Sequence, residues 1–325
     1  MNIASAVRIA FAAILGIAVI TPAAAQNYPV RAVRIIAPFP AGGSSDLVAR
    51  ILAQKLTDMN GQQFIVDNRP GAGGTLGTEL GAKAAPDGYT LTVGNVAPTA
   101  VNFSLFKKLP YDPVNDFAPI ALSAVGTTVL VVHPSLPVNS VRELVALAKA
   151  RPDQLNYASS GIGASAHMAA ELFKSMTKTR MVHVAYKGQP PAITDLIAGQ
   201  TQLMFPNIPS ALTQVKAKRL RPLAVTTTQR SSMFPALPTV AEAGVPGFEV
   251  TQWGGLVTAA GVPLAITGRF QQDVAAVLAM PEVQKAFQKH GFDTVGNTPA
   301  QFATYIRDEI AKWGKIIRDA GIRAD

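Results

Sequence analysis

A short strand, a glycine loop and a helix follow one another near the start of the chain, and this order constrains the fold most. Residues 33–37 are typical of a buried strand, and residues 47–56 carry the apolar spacing of a helix. Between them, Gly42-Gly43 leaves the backbone open to a ligand, and Ser44 or Ser45 can cap the helix. A helix N-terminus can hold an anion without any basic side chain. A plain strand-to-helix turn is the alternative interpretation of such a loop.

A second stretch repeats this pattern much later in the chain. Residues 155–167 run from a strand through a Ser/Gly loop into a helix that continues through Met176. Two such loops indicate two lobes, each of which offers one helix N-terminus to a shared ligand. A third stretch, residues 66–77, lacks both the third glycine of a dinucleotide fingerprint and the lysine of a phosphate-binding loop. We interpret it as a tight turn before a helix.

The N-terminal residues 1–25 have the pattern of a secretory signal peptide. Arg8 precedes an apolar run over residues 9–20, and Ala23 and Ala25 supply the small residues of a cleavage site. The apolar run is too short for a membrane anchor. The exported protein is therefore predicted to begin near Gln26, without membrane insertion. The chain has no cysteine, which excludes a lipid-modified cysteine and disulfide bonds.

Basic residues outnumber acidic ones, with 29 Lys and Arg against 20 Asp and Glu and a formal charge of +9. These charges are spread thinly. The densest group, residues 216–221, ends a predicted helix and has no interleaved aromatic side chains. Such a group is typical of a solvated helix end and not of a nucleic-acid-binding surface. We therefore predict no nucleic-acid partner, although the surplus positive charge attracts anionic solutes in general.

Short β-like runs alternate with amphipathic helices along the chain, which predicts an α/β protein with parallel sheets. Two apolar runs, residues 120–132 and 248–258, are longer than a local strand needs. We interpret both as crossings between two lobes. The first lobe is then built from residues 26–126 and 251–325, and the second from residues 127–250.

Several motifs resemble, in the same order, those of a known family. They are Pro-Phe-Pro-Ala-Gly-Gly at 38–43, Asp-Asn-Arg-Pro-Gly-Ala-Gly-Gly at 67–74, Ala-Ala-Pro-Asp-Gly-Tyr-Thr-Leu at 84–91, Leu-Pro-Tyr-Asp-Pro at 109–113, Asn-Tyr-Ala-Ser-Ser-Gly at 156–161 and Pro-Thr-Val-Ala-Glu-Ala-Gly at 238–244. The resemblance covers essentially the whole mature chain. The chain resembles the Bug-type periplasmic receptors of tripartite tricarboxylate transporters.

This resemblance implies a two-lobed periplasmic-binding fold of type II, with two crossing strands as a hinge and no catalytic activity. It also implies membrane transporter subunits as partners, which take a small carboxylate from the closed receptor. We expect a monomer without a cofactor. In the family, backbone amides and water in the two loops hold a ligand carboxylate. The corresponding positions in this chain are Phe39, Pro40, Ala41, Gly42, Ser159, Ser160, Gly163, Ala164 and Ser165. We add Ser45, which lies at the start of the first predicted helix.

The rest of the ligand is expected to contact a distal wall formed by Asn95, Tyr186, Phe205, Pro206 and Asn207. Many relatives carry an aspartate where this chain has Pro206, which offers neither charge nor an amide donor. A wall without an acid favours a di- or tricarboxylate, or an aromatic carboxylate, over an amino acid or a nicotinate-like ring. Gly42→Val is expected to abolish binding by filling the carboxylate's place, and Ser159→Ala and Ser165→Ala are expected to weaken it.

A secreted hydrolase or isomerase that acts on a carboxylate is the alternative function. Two of the four histidines, His133 and His183, lie in predicted strands, and His290 lies at a predicted helix C-terminus. His167 follows Ser165 too closely for the usual nucleophile-and-base arrangement, and these residues do not form the Gly-x-Ser-x-Gly elbow. No pair of histidines has metal-ligand spacing. We therefore expect binding without turnover.

Overall fold

The computed structural model describes residues 28–323, so the predicted signal peptide (residues 1–25) and the predicted start near Gln26 lie outside the described residues. None of the described helices is long and apolar enough to cross a membrane. The elements follow in the order β1 (Val33–Ala37), α1 (Ser44–Asn60), β2 (Phe64–Asn68), α2 (Thr75–Ala82), β3 (Thr90–Asn95), α3 (Asn102–Leu105), β4 (Phe117–Thr127), β5 (Val129–Val132), α4 (Val141–Ala150), β6 (Asn156–Ser159), α5 (Ser165–Thr177), β7 (Val182–Ala185), α6 (Gln189–Ile197), β8 (Leu203–Met204), α7 (Ile208–Lys216), β9 (Arg221–Val225), β10 (Thr251–Ala259), α8 (Leu264–Ala279), α9 (Pro281–Gln288), β11 (Phe292–Thr294) and α10 (Pro299–Ala320).

The strands form two mixed sheets, and the predicted α/β class is confirmed. The first sheet has the order β11-β4-β10-β3-β1-β2, in which β1 pairs in parallel with both β2 and β3. The second sheet has the order β7-β6-β8-β5-β9, in which β6 pairs in parallel with β7 and β8. The strands next to the crossings, β4, β5 and β10, pair antiparallel with their neighbours. The expected parallel pairing therefore holds around β1 and β6 only.

The chain passes from the first sheet to the second at Thr128. The predicted single run over residues 120–132 is in fact two strands, because β4 pairs in the first sheet and β5 in the second. The Thr128 hydroxyl lies 2.6 Å from the Thr226 hydroxyl, which donates to the Val250 carbonyl at 2.7 Å. These bonds tie the outgoing chain to the segment that returns into β10.

Helix starts agree with their sequence signals at two places and differ at a third. Ser140 accepts a hydrogen bond from the first turn of α4, and Thr298 forms a capping box at the start of α10. The prediction that Ser44 or Ser45 caps α1 is wrong. Gly43 is the N-cap, with extended backbone angles, so both serines fall inside the first helical turn. Their hydroxyl groups are thereby free to contact other elements.

The only two tryptophans of the chain share one buried carboxylate. Trp253 on β10 and Trp313 on α10 donate their indole N–H groups to Glu309 at 3.0 and 3.1 Å. Glu309 is 6% exposed, and the Lys312 ammonium lies 3.5 Å from its carboxylate. A buried carboxylate with two donors and a nearby cation is well paired. This cluster therefore fixes the long C-terminal helix against the first sheet.

Candidate ligand-binding site

A cavity of about 20 Å³ lies between the loops of the two sheets, and we call it the inner cavity. It is found beyond the carboxyl ends of β1 and β6, the position at which open α/β sheets bind ligands. A cavity of this size has room for about one water molecule. Its walls are formed by Phe39, Pro40, Gly43, Ser44, Ser45, Asn95, Ala97, Ser160, Ala164, Ser165, Gln189, Pro190, Asn207 and Gln252.

Four helices begin at the inner cavity. Their N-cap residues are Gly43 for α1, Ala164 for α5, Gly188 for α6 and Asn207 for α7, and within the described chain no side chain of these four caps bonds a helix N–H group. The positive dipole ends of these helices therefore gather around one point, although Pro190, Pro191 and Pro209 lack N–H groups and leave α6 and α7 with fewer free donors than α1 and α5. Of residues 28–323, none with a charged side chain lines the cavity. The site thus suits an anion held by neutral donors.

Three amide side chains hold the two serines of the first α1 turn. Asn95 donates to the Ser45 hydroxyl oxygen at 2.9 Å. Asn207 donates through Nδ2 to the Ser44 hydroxyl oxygen at 2.6 Å, and Gln252 donates through Nε2 to the same oxygen at 3.2 Å. All five side chains are buried. Because Ser44 follows a first-sheet strand and Asn207 follows a second-sheet strand, the Ser44–Asn207 bond closes the cleft between the sheets.

Glycines let the loops of the two sheets approach closely. A methyl group on Gly73 would lie 2.2 Å from the Ile162 carbonyl oxygen, and one on Gly188 would lie 2.5 Å from the Pro40 ring. Real side-chain carbons do not come this near to backbone oxygens. The closed cleft therefore depends on the absence of a side chain at these two positions.

A second cavity of about 330 Å³ lies beside the inner one, and we call it the outer cavity. Phe39, Pro40 and Ser160 line both cavities and so separate them. Tyr186 lines the outer cavity and donates its hydroxyl proton to Asp195 at 2.8 Å. Burial and this carboxylate raise the pKa of Tyr186 to about 12. Tyr186 is therefore a neutral side chain that is already engaged with a protein acceptor.

The inner cavity brings together part of the sequence-predicted set, namely Phe39, Pro40, Ser45, Asn95, Ser160, Ala164, Ser165 and Asn207. The remaining predicted residues lie outside it, namely Ala41, Gly42, Ser159, Gly163, Tyr186, Phe205 and Pro206. The lining also includes six residues that are not predicted from the sequence, namely Gly43, Ser44, Ala97, Gln189, Pro190 and Gln252. The glycine and prolines around residues 188–191 signal the start of α6 and could have indicated Gln189 and Pro190. Gln252, on a crossing strand, carries no such signal.

Gly42 and Ala41 lie in the exposed part of the first loop. The Gly42 N–H donates to the Asp46 carboxylate at 3.0 Å, and the Arg50 guanidinium donates to the same carboxylate. Burial opposes ionisation of Asp46, but the bonds from Arg50 and Gly42 outweigh it and lower the pKa of Asp46. A methyl group on Gly42 would meet no described atom within 4 Å. The expectation that Gly42→Val abolishes binding therefore stays a prediction, and the positive φ of 82° adds backbone strain for any side chain at this position.

Phe205 and Pro206 belong to the second lobe's interior and strand edge. The Phe205 ring is fully buried against Phe173 and Phe248, with ring centroids 5.8 and 6.2 Å apart. The Pro206 carbonyl accepts the Val129 N–H at 3.0 Å, which extends the strand pairing past β8. Of this predicted stretch, Asn207 alone lines the inner cavity, because it is the N-cap of α7.

Ser159 and Gly163 contact two stacked histidines, of which His167 is buried and His183 is half-buried. The Ser159 hydroxyl lies 2.6 Å from His183 Nε2, and the Gly163 N–H donates to His167 Nδ1 at 3.1 Å. The two imidazole rings stack with centroids 4.2 Å apart. Burial lowers the pKa of His167 to about 4 and that of His183 to about 3, so both are neutral at pH 7. Because Ser159 is fully buried and lines neither cavity, its contact with His183 is structural.

Comparison with known proteins identifies the family. The chain matches the family model described as "Tripartite tricarboxylate transporter family receptor" over residues 48–322. It is 38% identical to Protein BugT of Bordetella pertussis across 96% of both chains. It is similar to the solved structure of R. palustris Rpa4515 with adipate (37% identity, TM-score 0.89, 91% of this chain and 99% of that one). It is also similar to MatC (Rpa3494) from Rhodopseudomonas palustris with bound malate (30% identity, TM-score 0.85, 89% and 100%).

These neighbours are periplasmic solute-binding proteins with two lobes, and the predicted fold class is confirmed. The relatives are solute-binding receptors and not enzymes, which removes the hydrolase and isomerase alternative. The motif resemblance is confirmed by matches over nearly the whole chain. The chain belongs to the tripartite tricarboxylate transporter receptor family of periplasmic solute-binding proteins.

Proposed function

We propose that this protein is a periplasmic receptor that captures a small di- or tricarboxylate, or an aromatic carboxylate, between two lobes. One lobe comprises residues 26–126 and 251–325 and the other residues 127–250, a division supported by the strands of the two sheets. The observation that carries the proposal is the convergence of four helix N-termini on one neutral cavity. The receptor acts as a monomer and delivers its ligand to membrane transporter subunits.

Tight binding of a carboxylate requires hydrogen-bond donors from both lobes. Removing a carboxylate from water is costly, and each charge-assisted hydrogen bond returns only about 1.5–3 kcal/mol. The first lobe offers the α1 start with Ser44 and Ser45, and the second lobe offers the α5 start with Ser165. Neither start alone supplies enough donors, so tight binding requires that the cleft closes over the ligand.

The crossing at Thr128 supports a hinge. A single residue separates β4 from β5, so small changes in its backbone angles reorient one sheet relative to the other. The hydroxyl contacts among Thr128, Thr226 and Val250 hold the outgoing and returning chains together at this point. The two halves can thus rotate about one short segment while each sheet stays intact.

The ligands of two similar proteins support the ligand class. Adipate, named with Rpa4515, and malate, named with MatC, are both small dicarboxylates. Both proteins cover about nine-tenths of this chain. The lining of the inner cavity offers neutral hydrogen-bond donors to a carboxylate, and among the residues described it has no acidic side chain that would pair with an amine. A carboxylate without an amino group therefore agrees with the site and with these neighbours.

A thermal-shift screen tests the proposed function. Protein that has been unfolded and refolded to remove carried-over ligand is melted with organic acids, amino acids and sugars. A ligand at a hundredfold excess over its dissociation constant should stabilise the fold by about 2.7 kcal/mol. We expect this shift with di- or tricarboxylates or aromatic carboxylates, together with compaction in small-angle scattering. Shifts with amino acids alone, or binding without compaction, would contradict the proposal.

Two serines of the same loop provide a matched pair of variants. Ser165 lines the inner cavity, whereas Ser159 faces His183 and lines neither cavity. Ser165→Ala should weaken carboxylate binding by about 0.5–2 kcal/mol, because it removes a hydroxyl donor from the lining of the cavity. In contrast to the expectation from sequence, Ser159→Ala should lower the free energy of unfolding and leave the affinity of the folded protein nearly unchanged, because its hydroxyl contacts His183. Isothermal titration and urea unfolding of both variants measure these effects, and an opposite pattern would move the site away from α5.

A further inference from the structure

We infer that Asp46 and Asn68 are positioning residues that hold the first loop (residues 38–43) in the shape that binds the ligand, and that Arg50 keeps the charge of Asp46 from repelling the ligand. This inference rests on the proposed carboxylate-binding function. None of these three side chains lines either cavity, so they act on the ligand through the loop.

The first loop has little support of its own. Phe39 and Pro40 line both cavities and Gly43 lines the inner one, so the site depends on where this loop lies. Among the described residues, one backbone bond lies within the loop, from the Gly43 N–H to the Pro40 carbonyl at a long 3.4 Å. A methyl group on Gly42 would meet no described atom within 4 Å, so packing does not fix this residue either. Other elements must therefore hold the loop.

Two side chains from outside the loop bond to its backbone. The Asp46 carboxylate, in the first turn of α1, accepts the Gly42 N–H at 3.0 Å. Asn68, at the end of β2, donates through Nδ2 to the Phe39 carbonyl at 2.9 Å. Asp46 is 5% exposed, and a hydrogen bond to an ionised acceptor is stronger than one between neutral groups. The backbone is thus fixed on both sides of Pro40, which belongs to the wall shared by the two cavities.

A carboxylate in this position needs a counter-charge. Asp46 follows Ser45, which lines the inner cavity, so an uncompensated negative charge there would repel a bound carboxylate. The Arg50 Nε lies 3.0 and 2.9 Å from the two carboxylate oxygens of Asp46. The Arg50 side chain is 57% exposed, so the cation is not itself deprived of water. Arg50 therefore lets Asp46 hold the loop with little net charge beside the anion site.

Asp46→Ala separates positioning from charge, because the two effects have opposite signs. Removing a negative charge beside an anion site strengthens anion binding, whereas releasing the Gly42 N–H weakens it. We expect Asp46→Ala to bind adipate about tenfold more weakly than the wild type in isothermal titration on refolded protein. Asp46→Asn keeps an acceptor oxygen for Gly42 and should bind at least about half as tightly as the wild type. Unchanged or tighter binding by Asp46→Ala, or equal weakening by both variants, would overturn the inference.

Arg50→Gln tests the counter-charge. It leaves Asp46 ionised without its partner, and we expect adipate binding about fivefold weaker than that of the wild type at about 20 mM salt. At about 500 mM salt the difference should fall below about twofold, because salt screens the repulsion. Asp46→Asn combined with Arg50→Gln removes both charges and should restore the wild-type affinity. A loss from Arg50→Gln that is the same at both salt concentrations would contradict this role.

Glu79→Ala is the matched control, and Asn68→Ala tests the other bond. Glu79 also forms an ion pair four residues apart, with Lys83 on α2, but it lines neither cavity and is not bonded to the first loop. Glu79→Ala should keep the wild-type affinity. Asn68→Ala releases the Phe39 carbonyl and should weaken adipate binding about fivefold, which keeps the inference testable if Asp46→Ala does not fold. Wild-type affinity in Asn68→Ala would contradict the inference.

Amide exchange observes the loop without any ligand, so failure of the inference and failure of the proposed function are distinguishable. Exchange of the Gly42 amide, followed by NMR, should be faster in Asp46→Ala than in Asp46→Asn or the wild type. If this holds but adipate, malate and benzoate all fail to bind the wild type, the carboxylate function is wrong and the support of the loop stands. If these acids bind the wild type and Asp46→Ala equally well, the function stands and the inference falls.

Discussion

Replacing Gly73 by alanine should hold the cleft open and reduce carboxylate affinity by about 10- to 100-fold. The added methyl group would lie 2.2 Å from the Ile162 carbonyl oxygen on the opposite side of the cleft. Because the obstacle is backbone, it cannot move aside as a flexible side chain would, and the loops must separate. Separation breaks contacts such as the Ser44–Asn207 bond and removes one or two charge-assisted bonds to the ligand.

Gly61→Ala is the matched control for this variant. Gly61 has a φ of 66°, close to the 62° of Gly73, so both alanines carry the same backbone strain of about 1–2 kcal/mol. A methyl group on Gly61, however, would meet no described atom within 4 Å. Both variants should therefore lose unfolding free energy through backbone strain, and Gly73→Ala should lose more because its cleft contacts also break, whereas only Gly73→Ala should lose affinity in isothermal titration. Equal affinities of the two variants would show that the Gly73–Ile162 contact is not part of closure.

Lowering the pH from 7 to 4.5 should destabilise the protein through its stacked histidines. Burial lowers the pKa of His167 to about 4 and that of His183 to about 3, while an unfolded histidine titrates near 6.5. Between these values the unfolded chain binds more protons, so the free energy of unfolding falls as the pH falls. For His167 alone the loss by pH 4.5 is about 2 kcal/mol. Nearby Lys174 also disfavours the protonated rings, and Glu171 partly offsets this at His183.

Protonation of His167 also affects the Ser/Gly loop between β6 and α5, which contains Gly163. A protonated His167 would carry a proton on Nδ1, and this nitrogen could then no longer accept the Gly163 N–H. His167→Asn places a carbonyl oxygen near the Nδ1 position and does not titrate. Urea unfolding at pH 7 and pH 4.5 should therefore show a loss about 2 kcal/mol smaller for His167→Asn than for the wild type. His133→Asn, which lies outside this cluster, is the control, and equal losses in all three proteins would exclude this origin.

The sequence predicts those strand ends that depend only on residues next to them in the chain. The strand at Val33–Ala37 has the predicted ends, because its apolar run is bounded by turn residues. Strand β8 spans only Leu203–Met204. Its extent depends on pairing with β5 and β6, which come from earlier parts of the chain. Register between distant strands is a property of the assembled sheet and leaves no local signal.

The side chains that line the candidate site are also predictable from the sequence only in part. The two glycine loops were recognisable because a strand followed by glycine and a helix start is a local pattern, and Phe39, Pro40 and Ser165 do line the cavity. Gln252 enters the site from a crossing strand more than two hundred residues after the first loop. Phe205 was assigned to the wall although its ring packs in the core. Side-chain direction depends on tertiary packing, which no local pattern contains.

The shared carboxylate of the two tryptophans makes fluorescence a probe of one half of the molecule. Trp253 and Trp313 lie in a single buried cluster around Glu309, and residues 127–250 contain no tryptophan. Tryptophan emission therefore reports the surroundings of the first sheet, whereas backbone circular dichroism reports both halves. If the two signals separate during urea denaturation, the halves unfold in separate steps. The chain thus carries an intrinsic optical label on one side of the crossing at Thr128.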